Sequence, residues 1–154
     1  MPKEPVTLLL LSVASPIQIG LYDRSGQRIE AFSYEQKASA VLYSAFEAIE
    51  GRFEITALAY ARGPGSFMGL KLGFVFLRSY AIVKGLPMYA ADSFLFNEGA
   101  PIGASRSRSY VKEGDRISIR RLESPPKSAM ALPDRLDWSA MDAPLEPLYI
   151  QPAV

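Results

Sequence analysis

The segment Ala57-Leu-Ala-Tyr-Ala-Arg-Gly-Pro-Gly-Ser-Phe-Met-Gly-Leu-Lys-Leu-Gly73 runs a β-like stretch into a glycine turn and straight on into an apolar helix. Residues 55–61 read as a strand, Gly63-Pro64-Gly65 is turn chemistry, and Ser66 stands at the N-cap. A hydroxyl there accepts from a first-turn N–H that has no partner within the helix. Helix starts favour anions, so Gly63, Gly65 and Ser66 form a candidate anion site, set against the plainer reading of a tight strand-to-helix connection. Neither nucleotide fingerprint is complete. Met68 stands where a dinucleotide loop needs glycine, and Lys71 lies inside the helix instead of closing a P-loop.

The flanking pattern limits the fold further. A chain of 154 residues makes one domain, or one domain with a small appendage. Residues 6–13 are almost continuously apolar and predict a central strand covered on both faces. Residues 17–22 and 28–34 alternate around the turn Asp23-Arg24-Ser25-Gly26, so the chain opens as a three-stranded antiparallel meander. Residues 36–50 change to helical period and stop at Gly51; a strand, a long helix over 66–84 and a short strand over 88–91 follow. Three strands, helix, strand, helix, strand is the order of the ribonuclease-H-like fold of the actin group, whereas a dinucleotide-binding domain alternates from its start. That order leaves Asp92 as the cap of a helical turn over 93–97 rather than a ribose-binding acid.

The character changes after Gly99. Residues 101–105 and 109–112 read as short strands, and 116–122 as the partner strand across Glu113-Gly114-Asp115. Prolines from Pro125 to Pro152 preclude a long regular element thereafter, with at most a short helix over 134–141. The division expected is therefore residues 1–99 as the main domain and 100–154 as a reduced second subdomain with a β-hairpin and a proline-rich tail.

Composition removes several chemistries. The chain has no cysteine and no histidine, so disulfides, thiolate metal sites, the Ser-His-Asp triad and the usual zinc sites have no residues to build them; no metal site is expected. Lys3 ahead of the apolar run imitates a short secretory leader, but a buried first strand explains the same residues, and the expectation is a cytoplasmic protein that engages no membrane.

The long helix is apolar nearly all round. Leu70, Phe74, Leu77 and Ala81 make one face, Gly69, Gly73, Phe76 and Tyr80 a second, and Met68, Val75 and Ile82 a third strip. A helix in a small layered domain is covered on one side only, so another surface is expected here. Gly69 and Gly73, one turn apart, are expected to admit a helix of another chain, with Phe76 and Tyr80 as anchors and Val41 and Ala45 contributing from the first helix. The competing reading is that the protein's own first helix lies on that strip.

These residues resemble the signature A-x-x-x-G-P-G-S-F-T-G-L-R-I-G of the TsaB family, also called YeaZ. The likeness extends more loosely over residues 6–97, and Glu146-Pro-Leu-Tyr-Ile150 is similar to the strand that ends that family. The resemblance implies an actin-like ATPase (ASKHA) fold with a truncated second subdomain. It also implies a pseudo-enzyme subunit that binds and activates TsaD, with TsaE, in forming N6-threonylcarbamoyladenosine on tRNA. Pairing is then through the two helices, with a homodimer as a further option for the free chain; tRNA is met only through the complex, and ATP is held by TsaD and TsaE, with no cofactor here. Leu11-Ser12-Val13 replaces the family's usual Ile-Asp-Thr, so the acid used in actin-like metal-nucleotide chemistry is missing; Met68 and Lys71 replace threonine and arginine. The competing functions are an actin-like ATP-dependent phosphotransferase or hydrolase, and a small tRNA-binding module. For the latter, Arg106, Arg108, Lys112, Arg116 and Arg120 are the candidate phosphate contacts, set against the plainer reading of a solvated hairpin.

Overall fold

A computed structural model describes residues 2–104, 108–121 and 130–149. Five strands form one mixed sheet: β1 (Glu4–Leu11), β2 (Ile17–Tyr22), β3 (Arg28–Tyr34), β4 (Phe53–Ala61) and β5 (Met88–Ala91), in the order β3-β2-β1-β4-β5. β1 is central, antiparallel to β2 and parallel to β4, as its unbroken apolar run predicts. It stops at Leu11 instead of 13, because the Val13 carbonyl leaves the ladder and accepts from the Ser66 N–H at 2.7 Å. The helices are α1 (Ala38–Glu50) and α2 (Phe67–Lys84).

Register assigns the two faces of the sheet. Leu8 and Leu10 stand beside Leu21 and Ile19 on one side and Leu58 and Tyr60 on the other, so these six share one face. α2 lies on it: Phe74 packs its ring 5.8 Å from that of Tyr60. Leu9, Gly20 and Tyr22 share the opposite face with Ala59. The proline-rich segment 130–149 covers part of it, as an irregular strap. Tyr22 donates its hydroxyl to the Pro133 carbonyl at 2.8 Å, Gln18 donates to the Met130 carbonyl at 2.7 Å, and Leu132 sits against Gly20. The strap then runs along β5, where the Ala143 N–H donates to Ala90, and crosses to the end of β4, where Leu148 donates to Arg62. A sheet with helices on one side is thus closed on the other without a second helical layer.

Beyond β5 a short helical turn, Ser93–Phe96, leads to a separate three-stranded sheet of β6 (Ile102–Gly103), β7 (Arg108–Glu113) and β8 (Arg116–Arg121). The hairpin is where it is expected. The short helix expected over 134–141 contracts to one turn, Trp138–Ala140, capped by the Asp137 carboxylate.

Candidate functional site

The glycine turn joins β4 to α2 as expected, and Ser66 caps the helix by accepting from the Gly69 N–H at 3.4 Å. Several backbone groups of the turn already have partners within the chain. The Ser66 N–H is spent on Val13, the Leu70 N–H on the Ser66 carbonyl, and the Gly63 carbonyl accepts from Ser93. Gly63 has φ +114 and a Cβ there would lie 2.6 Å from the Leu148 carbonyl oxygen, so the strap already occupies the space above it. Only glycine fits there.

α2 corrects the expectation drawn from its own glycines. A Cβ on Gly69 would fall inside contact distance of the Ser12 carbonyl oxygen, and one on Gly73 would overlap the Ser12 hydroxyl and lie 3.2 Å from Leu10 Cδ2. Both glycines face the protein's own β1. The helix axis comes so close to the strand that no side chain fits between, and the Ser12 hydroxyl, 3% exposed as a residue, donates to the Gly69 carbonyl at 2.9 Å. Ser12 is thus packed against α2, and it also lines a cavity at the start of that helix.

Phe76 and Tyr80 are likewise used internally. Their rings meet Phe46 of α1 edge-on at 4.8 and 5.1 Å, and Tyr80 donates its hydroxyl to the Glu50 carboxylate. Burial, then the hydrogen bond and charge of Glu50, raise the Tyr80 pKa above the phenol range. Val41 and Ala45 are buried. The protein's own first helix therefore takes the strip carrying Phe76 and Tyr80, and the sheet takes the glycines.

What stays uncovered is the third strip. Met68, Val75 and Ile82 are 56, 52 and 66% exposed and recur every seven residues, so they form one line along α2. Val83 is exposed beside it, Phe67 packs its ring on Tyr149, and Tyr43 of α1 is 74% exposed. At its N-terminal end Met68 also lines a cavity of about 500 Å³ between the first turns of the two helices and the β1–β2 loop.

The basic hairpin is partly neutralised by the chain itself. Lys112 donates to Asp92 at 3.2 Å and Arg120 pairs with Glu113, whereas Arg116 and Arg121 are exposed with no ion pair among the described residues. Arg108 is exposed, and Arg106 lies outside the described residues. Asp92 makes no cap hydrogen bond to the turn after it; its carboxylate bridges Arg62 and Lys112 instead. Among the described residues no three His, Cys, Asp or Glu side chains gather as a metal site would need, and no helix is long and apolar enough to cross a membrane.

A scan of family models and a search of curated proteins found no match to this sequence. Solved structures do match. YeaZ from Pseudomonas aeruginosa superposes with a TM-score of 0.61 at 16% identity, over 84% of this chain and 64% of that one. The fold is that of YeaZ. A second structure, titled as an uncharacterised protein similar to peptidase YeaZ from Pseudomonas aeruginosa, gives 0.59 at 17% identity over the same 84% of this chain and 63% of its own length. The core is accordingly ribonuclease-H-like, of the actin-like kind, and the chain spans less than two thirds of the length of either YeaZ-like protein.

Proposed function

We propose that the protein is a TsaB-like, non-catalytic subunit that pairs with TsaD through its helical layer in the pathway to N6-threonylcarbamoyladenosine on tRNA. The observation that carries the reading is the line of Met68, Val75 and Ile82, left exposed on the helical side of a YeaZ-like fold. A run of large apolar side chains on solvent is an interaction surface by the ordinary economy of protein surfaces. In this reading TsaD covers that line together with Tyr43, while the Phe46, Phe76 and Tyr80 cluster beneath holds α1 and α2 as one rigid platform. Absence of catalysis is supported by Ser12, which offers no carboxylate and whose hydroxyl is spent on the Gly69 carbonyl. The cytoplasmic setting belongs to the same proposal.

Co-expression with TsaD of the same organism, followed by measurement of complex mass, tests it. A stable heteromeric complex that Val75→Glu dissolves supports the reading; a chain that never co-purifies with TsaD overturns it.

A further inference from the structure

α1 and α2 lie side by side and run the same way, since Ala38 and Ser39 share a cavity wall with Met68 and Leu72 at their starts and Phe46 meets Phe76 and Tyr80 further on. The space between them is filled unevenly. Three aromatic rings close it in the carboxyl half, where the Tyr80 hydroxyl also donates to Glu50. At the amino end the residues around the gap include Ala38, Ser39, Ser66 and Gly69, all small, and the cavity of about 500 Å³ is the space they leave. Ser12 and Ile17 in its lining are buried, whereas Lys37, Ser39, Ser66 and Met68 are exposed. The cavity therefore has its floor on the sheet and its mouth on the outer side of the helical layer.

Met68 belongs both to this rim and to the exposed line that continues through Val75 and Ile82. Leu72, partly buried one turn after Met68, lines the cavity on the side of that line turned to α1. A helix lying along the line must pass over the mouth. The walls are largely apolar, with Ala14, Ile17, Ala38, Met68 and Leu72 among them, and the volume is that of a preformed binding pocket, so an apolar group suits it better than a charged one. Interfaces draw much of their energy from a few bulky anchors seated in such pockets. Building on the TsaD reading above, we infer that this cavity is the anchor pocket of the pairing. A leucine, methionine or phenylalanine of the partner helix that covers Met68, Val75 and Ile82 inserts between the first turns of α1 and α2 and reaches Ile17.

Cross-saturation in the complex tests the insertion, with the full chain deuterated except at isoleucine and methionine methyls and TsaD fully protonated. Irradiation of TsaD should saturate Met68 and Ile82 at the surface and Ile17 at the cavity floor, and should leave Ile49, buried and outside the cavity lining, untouched. Ile17 is 5% exposed, so only a group that enters the cavity comes close to its methyl. Ser39→Phe fills the cavity from an exposed rim position and should lower the affinity for TsaD by at least about tenfold with a urea midpoint near native. Ser44→Phe, exposed on another face of α1, should bind as the native chain does. Saturation of Ile82 with Ile17 silent, or native affinity in Ser39→Phe, overturns the inference and leaves the TsaD reading standing. A chain that forms no complex with TsaD overturns both. Transfer to Ile17 between labelled and unlabelled copies of the free chain would assign the pocket to a second copy and likewise overturns the inference.

Discussion

Two sides of α2 are almost equally apolar and are used in opposite ways. The inward side, Gly69, Leu70, Gly73, Leu77 and Ala81, lies on β1 so closely that a glycine hydrogen takes the place of a side chain twice. The outward line, Met68, Val75 and Ile82, keeps large side chains and meets solvent. A pair of glycines one turn apart marks a close approach but does not name what approaches. Here it is the protein's own strand, and the side chains left on solvent are the bulky ones.

The harshest test of that contrast is Gly73→Leu. Leucine improves helix propensity by up to about 1 kcal/mol, yet its side chain must enter the space held by Ser12 and Leu10. Overpacking against a central strand should outweigh the gain and cost about 3 kcal/mol or more, read as a lower urea midpoint at unchanged slope, if the variant folds at all. A variant of native stability that merely fails to pair would return Gly73 to the outer surface.

The opposite manipulation belongs to the outward line. Val75→Glu and Ile82→Glu replace exposed side chains, so stability should stay within about 0.5 kcal/mol of native. On the proposed pairing, affinity for TsaD should fall at least about tenfold, or about 1.4 kcal/mol, because a carboxylate would be buried unpaired at the contact. Urea denaturation gives the first number and calorimetric titration against TsaD the second. Unchanged affinity in both variants would move the interface off this line.

Why the sequence separates some of this and not the rest is visible at particular residues. Alternation in 17–22 and 28–34, the unbroken run into Leu11 and the serine after Gly65 each encode local geometry, and strand order and helix start follow from them. α2 lacks a polar face, so its period says that it is a helix without saying how it is rotated; only the position of Ser12 beneath it decides. Asp92 has its partners thirty residues before and twenty after, a pairing that no local spacing signals. The strap has no periodicity at all, since its anchors are carbonyls of Met130, Pro133 and Leu145 that accept from Gln18, Tyr22 and Tyr60.

Alkaline titration sharpens the comparison from the covered side. Burial first, and for Tyr80 then Glu50, raise the pKa of Tyr22, Tyr60 and Tyr80 above the ordinary 10.0. Each group is therefore more easily ionised in the unfolded chain. Its contribution is complete below pH 10 and is lost progressively as the pH climbs above that value toward the folded-state pKa. Urea midpoints should be level up to about pH 9 and fall by about pH 11, and Tyr80→Phe should flatten part of that fall. A midpoint that does not drop would mean that these hydroxyls are open to water, and that the α1–α2 platform is looser than the ring contacts imply.

The smallest effect expected is at the start of α2, where the inward and outward sides meet. Ser66 accepts from the Gly69 N–H at 3.4 Å, long for such a bond, so Ser66→Ala should cost near the low end for a cap, about 0.5 kcal/mol. The same substitution separates a cap from an anion site. A cap loses its small increment equally with or without phosphate, because the Ser66 N–H is already committed to Val13. An anion site would instead show the native chain stabilised by phosphate and the variant not. Thermal midpoints in phosphate and in a zwitterionic buffer at equal ionic strength should therefore shift in parallel for the two proteins, and a phosphate-dependent gap between them would reinstate the turn as a binding site.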